Sequence, residues 1–255
     1  MIMMLNATEL IKAHAMTDVV AIIPARYDST RLPGKALADI HGKPLIRHVY
    51  EQVMKSSAVS RVAVATDDIR IADAVEAFGG EAVMTSPDHS SGTDRIVEAM
   101  GVTGGDIIVN VQGDEPLIEP AVIDAVVGKL AGDGEIVCST AAFRCVDSAV
   151  YTDPNAVKIV LDKNNRALYF SRAPIPCYRD GDFDRALIHV GIYCFRRDFL
   201  EVYSGLAQTP LELSEKLEQL RIIENGYGIG VAVTGQGAIG VDTPEDLEKV
   251  RELMS

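Results

Sequence analysis

The chain has 255 residues, 47% of them hydrophobic, with 24 Lys and Arg against 37 Asp and Glu and a formal net charge of −13. That length and apolar content suit one large α/β domain, or one domain with an elaborated lobe. The acidic balance excludes a generic electrostatic grip on DNA or RNA, so any anionic ligand must be held by local clusters of cations.

Residues 1–16 are read as an N-terminal extension without chemistry, either a disordered, frayed helix or a stretch ahead of a start at Met16. They lack the basic start and long apolar core of a secretion signal. No apolar run in the chain is long enough to span a bilayer, so a cytoplasmic protein with no membrane insertion is expected. Cys138, Cys145, Cys177 and Cys194 are scattered, with no C-x-x-C pair and no His at zinc spacing. Buried reduced thiols are the simplest account.

Strand-like and helix-like runs alternate from residue 19 onward, which predicts a mostly parallel sheet covered by helices. The apolar run 19–23 is the first strand, and Pro24 opens a loop to Lys35. Residues 44–54 place Leu45, Val49 and Val53 on one helix face, with Pro44 at its first turn. A strand at 61–65 leads through Asp67 and Asp68, expected as caps or ribose neighbours, into a helix at 69–78 stopped by Gly79-Gly80. A short strand at 82–84 and a helix at 93–100 ended by Gly101 come next. The continuous apolar run 106–111 suits the middle of a sheet, and ends in Gln112-Gly113-Asp114-Glu115-Pro116. A helix at 120–130 and a strand at 135–142 follow. Then the rhythm changes to a hairpin, 156–162 and 167–170, around Lys163-Asn164-Asn165, a strand at 188–195 and one amphipathic helix over 211–224. A strand at 230–234, a turn at 240–244 and a helix at 245–254 return to the earlier style. The expected organisation is a single domain over 17–255 with a lobe inserted at about 140–225.

Two places carry chemistry. The loop 24–35 sets Arg26, Arg31 and Lys35 just past a buried strand, at the sheet end where open α/β folds bind ligands. Arg offers a fork that matches phosphate oxygens and Lys a point charge. The loop is neither a P-loop nor a dinucleotide fingerprint, since both glycine patterns are absent. Asp114 and Asp242 each follow a strand in a turn, and two such carboxylates suit a hard cation such as Mg2+. Asp242, ahead of Thr-Pro-Glu, also has the form of a helix N-cap, as Ser91 or Thr93 has in the polar loop 88–95. Glu215 and Gln219 stand four apart on the expected 211–224 helix and could share a face.

IIPARYDSTRLPGKAL at 22–37 resembles the signature of the sugar-acid cytidylyltransferases, most closely those that activate 3-deoxy-manno-octulosonate (Kdo). SPDHSSGTDR (86–95), VNVQGDEPLI (109–118), PNAVKIV (154–160), ALYFSRAPIP (167–176), HVGIYCFR (189–196), LEQLR (217–221) and GVDTPEDLE (240–248) resemble that family too, in its order. The resemblance implies a Rossmann-like, GT-A-like nucleotidyltransferase fold whose inserted lobe binds the sugar and forms a homodimer. It implies CTP and Kdo as substrates, CMP-Kdo and diphosphate as products, and a place in lipopolysaccharide biosynthesis. By the same resemblance Asp114 and Asp242 bind Mg2+, with Lys35 and Arg26 beside them as catalytic residues. The resemblance also implies that Pro24, Ala25, Arg26, Arg31, Lys35, Ser91, Gly92, Arg95 and Gln112 hold the nucleotide, and that Gln112, Arg172, His189, Tyr193, Glu215 and Gln219 hold the sugar acid. Two departures, Cys177 where the family often has Trp and Cys194 where it often has Gly, bear on the choice between Kdo and an amino variant. A sialic-acid or UTP-dependent transferase, and a non-catalytic nucleotide sensor, are the competing expectations.

Overall fold

The apolar run at the start of the sequence forms strand β1 (Val19–Ala25), whose side chains alternate between the two faces of a sheet. Val19, Ala21 and Ile23 enter one hydrophobic core, while Val20 and Ile22 enter a second on the opposite face. The computed structural model describes residues 17–28, 31–89, 91–179, 186–235, 237 and 239–255. The expected extension at 1–16 lies outside the described residues.

β1 pairs in parallel with β4 (Arg61–Thr66) on one side and β6 (Ile107–Asn110) on the other, and β4 pairs with β5 (Glu81–Met84). Beyond β6 the sheet continues through β10 (Leu187–Arg196), β7 (Cys138–Arg144) and β11 (Ile229–Thr234). β10 runs antiparallel to both of its neighbours, and the other six strands of this path are parallel. A hairpin of β8 (Lys158–Leu161) and β9 (Ala167–Ser171) attaches through β8 to the start of β10. β2 (Asp39–Ile40) and β3 (Lys43–Pro44) form a small separate ribbon.

Helices cover both faces. The first core takes its helical side chains from α1 (Leu45–Val53), α2 (Ile69–Ala77), α4 (Pro120–Ala131) and α9 (Pro244–Leu253). The second takes them from α3 (Gly92–Thr103), α6 (Arg197–Tyr203) and α8 (Gln219–Glu224). α5 (Ser148–Thr152) buries no residue, and α7 (Pro210–Glu215) buries Glu212 against Arg221. The sheet with helices on both sides is the α/β nucleotidyltransferase architecture that the resemblance implies.

Three expectations need correction. Gly101 does not end α3, which continues to Thr103, itself buried, and stops where Gly104 takes a positive φ of 75°. The single helix expected over 211–224 is two, because Lys216 sits in the left-handed region at φ 55° and the chain turns there to bury Leu217 and Leu220. The lobe expected at about 140–225 is not a body apart: β7 and β10 lie inside the main sheet, leaving the β8–β9 hairpin and α5 to α8 as the elaboration.

Candidate active site

The opening loop is held by its own backbone. Gly34, at φ 69°, donates its N–H to the Tyr27 carbonyl at 2.9 Å, and a Cβ there would press on the Tyr27 ring at 3.2 Å. A side chain is disfavoured in this conformation, so glycine is what the turn requires. The 3-10 turn Lys35–Leu37 follows at once and aims Lys35 back over the ends of β1 and β6.

The two aspartates reach the same place by different routes. Asp114 follows β6 through Gly113, where a Cβ would lie 2.7 Å from the Pro24 carbonyl, so this turn touches the end of β1 backbone to backbone. Asp242 precedes α9, but the cap is Thr243, which forms a reciprocal box with Asp246 and leaves the Asp242 carboxylate free of that duty. Val241 N–H donates to the Asp114 carbonyl at 2.8 Å and joins the two turns. Between them stands Lys35, whose Nζ donates to Asp114 Oδ2 at 2.6 Å and Asp242 Oδ1 at 3.0 Å. Arg31 donates to the other Asp242 oxygen at 2.9 Å. Burial works against the charge of Lys35, but Asp114, with Asp242 behind it, outweighs that and raises its pKa.

These groups line an open cavity of about 390 Å³ with Pro24, Ala25, Arg26, Asp28, Gly92 and Gln112. Arg26 Nη2 is buried there with no hydrogen-bond partner among the described residues. Three cations face three carboxylates, so a polyphosphate would bring more negative charge than the lining balances unless a cation came with it. Two convergent aspartates, with phosphate oxygens and water to complete the shell, fit Mg2+. No cluster of three or more His, Cys, Asp or Glu suited to a metal occurs among the described residues, so the protein's share would be these two. Next to them the Glu115 carboxyl is enclosed, Oε2 has no partner among the described residues, and burial followed by the Asp114 charge raises its pKa to about 8.

A second cavity of about 270 Å³ adjoins the first, and Gly92 and Gln112 line both. Gln112 bonds the Gly191 carbonyl at 3.3 Å. His189, Tyr193 and Gln219 line this second cavity with Asn110, Tyr203, Lys216 and Glu218. Thr93 Oγ1 donates to Glu218 at 3.0 Å and ties the start of α3 to the start of α8. Burial lowers the His189 pKa to about 3. Because the unfolded chain takes up this proton near the ordinary value of ~6.5 and the folded chain does not, stability falls as pH drops from there toward 3. The His189→Asn variant should therefore show a flatter decline of unfolding free energy in that window, by up to about 1.4 kcal/mol per pH unit. Urea titrations at several pH values measure it, and parallel curves for the two proteins would contradict the assignment.

Four expected site residues do not line either cavity. Arg95 is fully buried, with one guanidinium nitrogen 2.5 Å from Asp67 and another on Thr85, so it clamps α3 to the ends of β4 and β5. Ser91 caps α3 by accepting the Asp94 N–H at 3.1 Å. Arg172 donates to the carbonyls of Glu215, Pro154 and Lys216 at 2.8, 3.0 and 3.4 Å. Glu215 accepts from Ser171 and from the Arg172 N–H, so it joins α7 to the hairpin and does not share a face with Gln219. Sequence reasoning had passed over Asn110, a polar side chain at the end of an apolar strand, and Glu218, inside the LEQLR run. The lone polar residue closing such a strand was the signal available for Asn110.

A strand-end cation loop facing two strand-end carboxylates on this sheet defines an α/β nucleotidyltransferase. The cytidylyltransferase family matches residues 20–231. The 3-deoxy-manno-octulosonate cytidylyltransferase of Geobacter metallireducens is 53% identical over 93% of this chain and 98% of its own. That of Geotalea uraniireducens is 54% identical over 92% and 98%. The solved structure of a CMP:2-keto-3-deoxy-manno-octonic acid synthetase complexed with CTP superposes with a TM-score of 0.90 at 47% identity, covering 93% of this chain and 98% of that one. The chain belongs to the cytidylyltransferase family, among its 3-deoxy-manno-octulosonate members.

Proposed function

We propose that this chain transfers a cytidylyl group from CTP to Kdo, giving CMP-Kdo and diphosphate for lipopolysaccharide synthesis. The observation that carries the reading is the juxtaposition of Lys35, Asp114 and Asp242 in one cavity that opens into a second, hydroxyl-suited one. The anomeric hydroxyl oxygen of Kdo bonds to the α-phosphorus, the bond to the bridging oxygen breaks, diphosphate leaves and the hydroxyl proton is released. Such transfers depend on positioning and charge neutralisation and need no covalent enzyme intermediate. Arg26, whose buried Nη2 lacks a partner among the described residues, and Arg31 and Lys35 hold the triphosphate; Gln112 spans the two substrates. Asp114 and Asp242 would hold Mg2+, which would neutralise phosphate charge and favour ionisation of the sugar hydroxyl. His189, Tyr193, Gln219 and Glu218 line the Kdo site.

We further infer a cytoplasmic homodimer. No described helix is long and apolar enough to cross a membrane. In support of the dimer, Leu168 is 58% exposed on β9, which has a ladder partner on one side only among the described residues. The test of function is diphosphate release with CTP or UTP, each paired with Kdo or sialic acid. Release with CTP and Kdo, at least ~10-fold above the other pairs, is expected on the scale of one lost polar contact. Sugar-dependent release with UTP alone, or with sialic acid alone, would replace this reading by one of the competing transferases.

A further inference from the structure

Strand β10 is irregular beside the second cavity. Val190 opposes Ala141 and Tyr193 opposes Thr140, so Gly191 and Ile192 are extra residues on the β10 side. Bulges next to sites re-aim the groups around them. Here they turn carbonyls toward the fully buried Thr140, whose Oγ1 lies 2.7 Å from Ile192 O and 3.2 Å from Val190 O. The same Oγ1 is 2.9 Å from His189 Nε2.

A hydroxyl has one hydrogen, and carbonyl oxygens only accept. The Thr140 hydrogen is therefore committed to the bulge, with Ile192 O the nearer acceptor. Were Nε2 unprotonated, it and the two carbonyl oxygens would be three acceptors competing for the one hydroxyl hydrogen inside the sheet. Nε2 must be the donor to Oγ1. A neutral imidazole carries one N–H, so Nδ1 is then bare, and it makes no hydrogen bond to a described residue. Burial keeps the ring neutral. Packing fixes its plane: Phe170 meets it edge to face at 5.2 Å, and Tyr193 lies 5.3 Å away on β10.

We propose that Thr140 is a positioning residue that locks His189 in its Nε2–H tautomer, so that Nδ1 accepts a hydrogen bond from a hydroxyl of the bound sugar acid. The proposal rests on reading the second cavity as the Kdo site. Thr140 does not line that cavity and acts only through His189. It answers how an imidazole could serve a polyhydroxylated acid without contributing charge: it presents a fixed acceptor where a hydroxyl donor arrives. The other tautomer would offer a second donor and leave that hydroxyl proton unmatched.

The test uses the full chain labelled with 15N-histidine, the His189 signals being assigned by their loss in His189→Gln. At neutral pH the wild type should show a protonated Nε2 and a bare Nδ1, and Thr140→Val should show the other tautomer or a mixture. In kinetics, Thr140→Val should raise the KM for Kdo about 10-fold with the KM for CTP unchanged, and Thr140→Ser should restore it to within about 3-fold, as one hydrogen bond's worth. A wild-type Nδ1–H tautomer overturns the proposal, and so does a Val variant with the Kdo KM of wild type. A wild type that fails to use Kdo at all sinks the site reading instead, while the tautomer still decides whether Thr140 controls His189.

Discussion

Replacing Asp114 by Asn is expected to cut turnover at least ~10³-fold, the several kcal/mol that a lost metal-binding charge is worth in such transfers. The side chain keeps its shape and loses its charge, so the effect isolates the carboxylate. Its frame will not collapse to compensate: Gly113 touches the Pro24 carbonyl and Val241 N–H holds the Asp114 carbonyl. Stability should change by no more than ~1 kcal/mol, because the ion pair with Lys35 is partly exposed and screened. CTP affinity without divalent cation should be unchanged or slightly tighter, since one carboxylate facing the phosphates is gone. Diphosphate release at saturating substrates, with calorimetry for CTP, measures both. Turnover within tenfold of wild type would remove Asp114 from the proposed role.

Lys35→Met should show a double effect that a mere surface lysine could not produce. Its ammonium now touches both carboxylates, occupying the ground where a divalent cation would sit. Loss of this grip should lower turnover about 10²–10³-fold, the range for removing one preorganised charge-stabilising donor. At the same time the nucleotide-free protein should bind Mn2+ or Mg2+ more tightly than wild type, because two aspartates are left without their internal counter-ion. Titration calorimetry in the absence of CTP reads that gain directly. A variant with slower turnover but no gain in cation affinity would mean that Asp114 and Asp242 do not share one cation. On the proposed reading, an arriving metal nucleotide would draw the Lys35 ammonium from the carboxylates to the phosphates.

Much of this was legible from pattern. The apolar runs mark β1, β4 and β6, and the rule that ligands sit at strand ends picks out Lys35, Asp114 and Asp242, which the structure brings into one cluster. What pattern could not carry was direction and partnership. Nothing in 188–195 announces a strand running against its neighbours, yet that reversal brings the beginning of β10, with His189 and Gly191, to the edge where the other strands end. Arg172 and Arg95 are visible as cations in unusual motifs, but the sequence does not say that their guanidinium groups are spent on backbone carbonyls and on Asp67 with Thr85. The break at Lys216 is hidden for a different reason. Leu217 and Leu220 continue a helix-like spacing across it, and a left-handed lysine has no residue-type signature.

The bond from Val241 N–H to the Asp114 carbonyl also has a consequence for biogenesis. As the chain leaves the ribosome, the cation loop and Asp114 emerge long before Asp242, and β7, β10 and β11 are made in between. Asp242 can take its place only when α9 docks, and Leu247 and Val250 of that helix join the same core as β1. An unfinished chain therefore has the cations, Asp28 and Asp114 but lacks the Asp114–Asp242 pair. Tight capture of a metal nucleotide would then report completed folding, and the substrate itself would stabilise only the finished molecule.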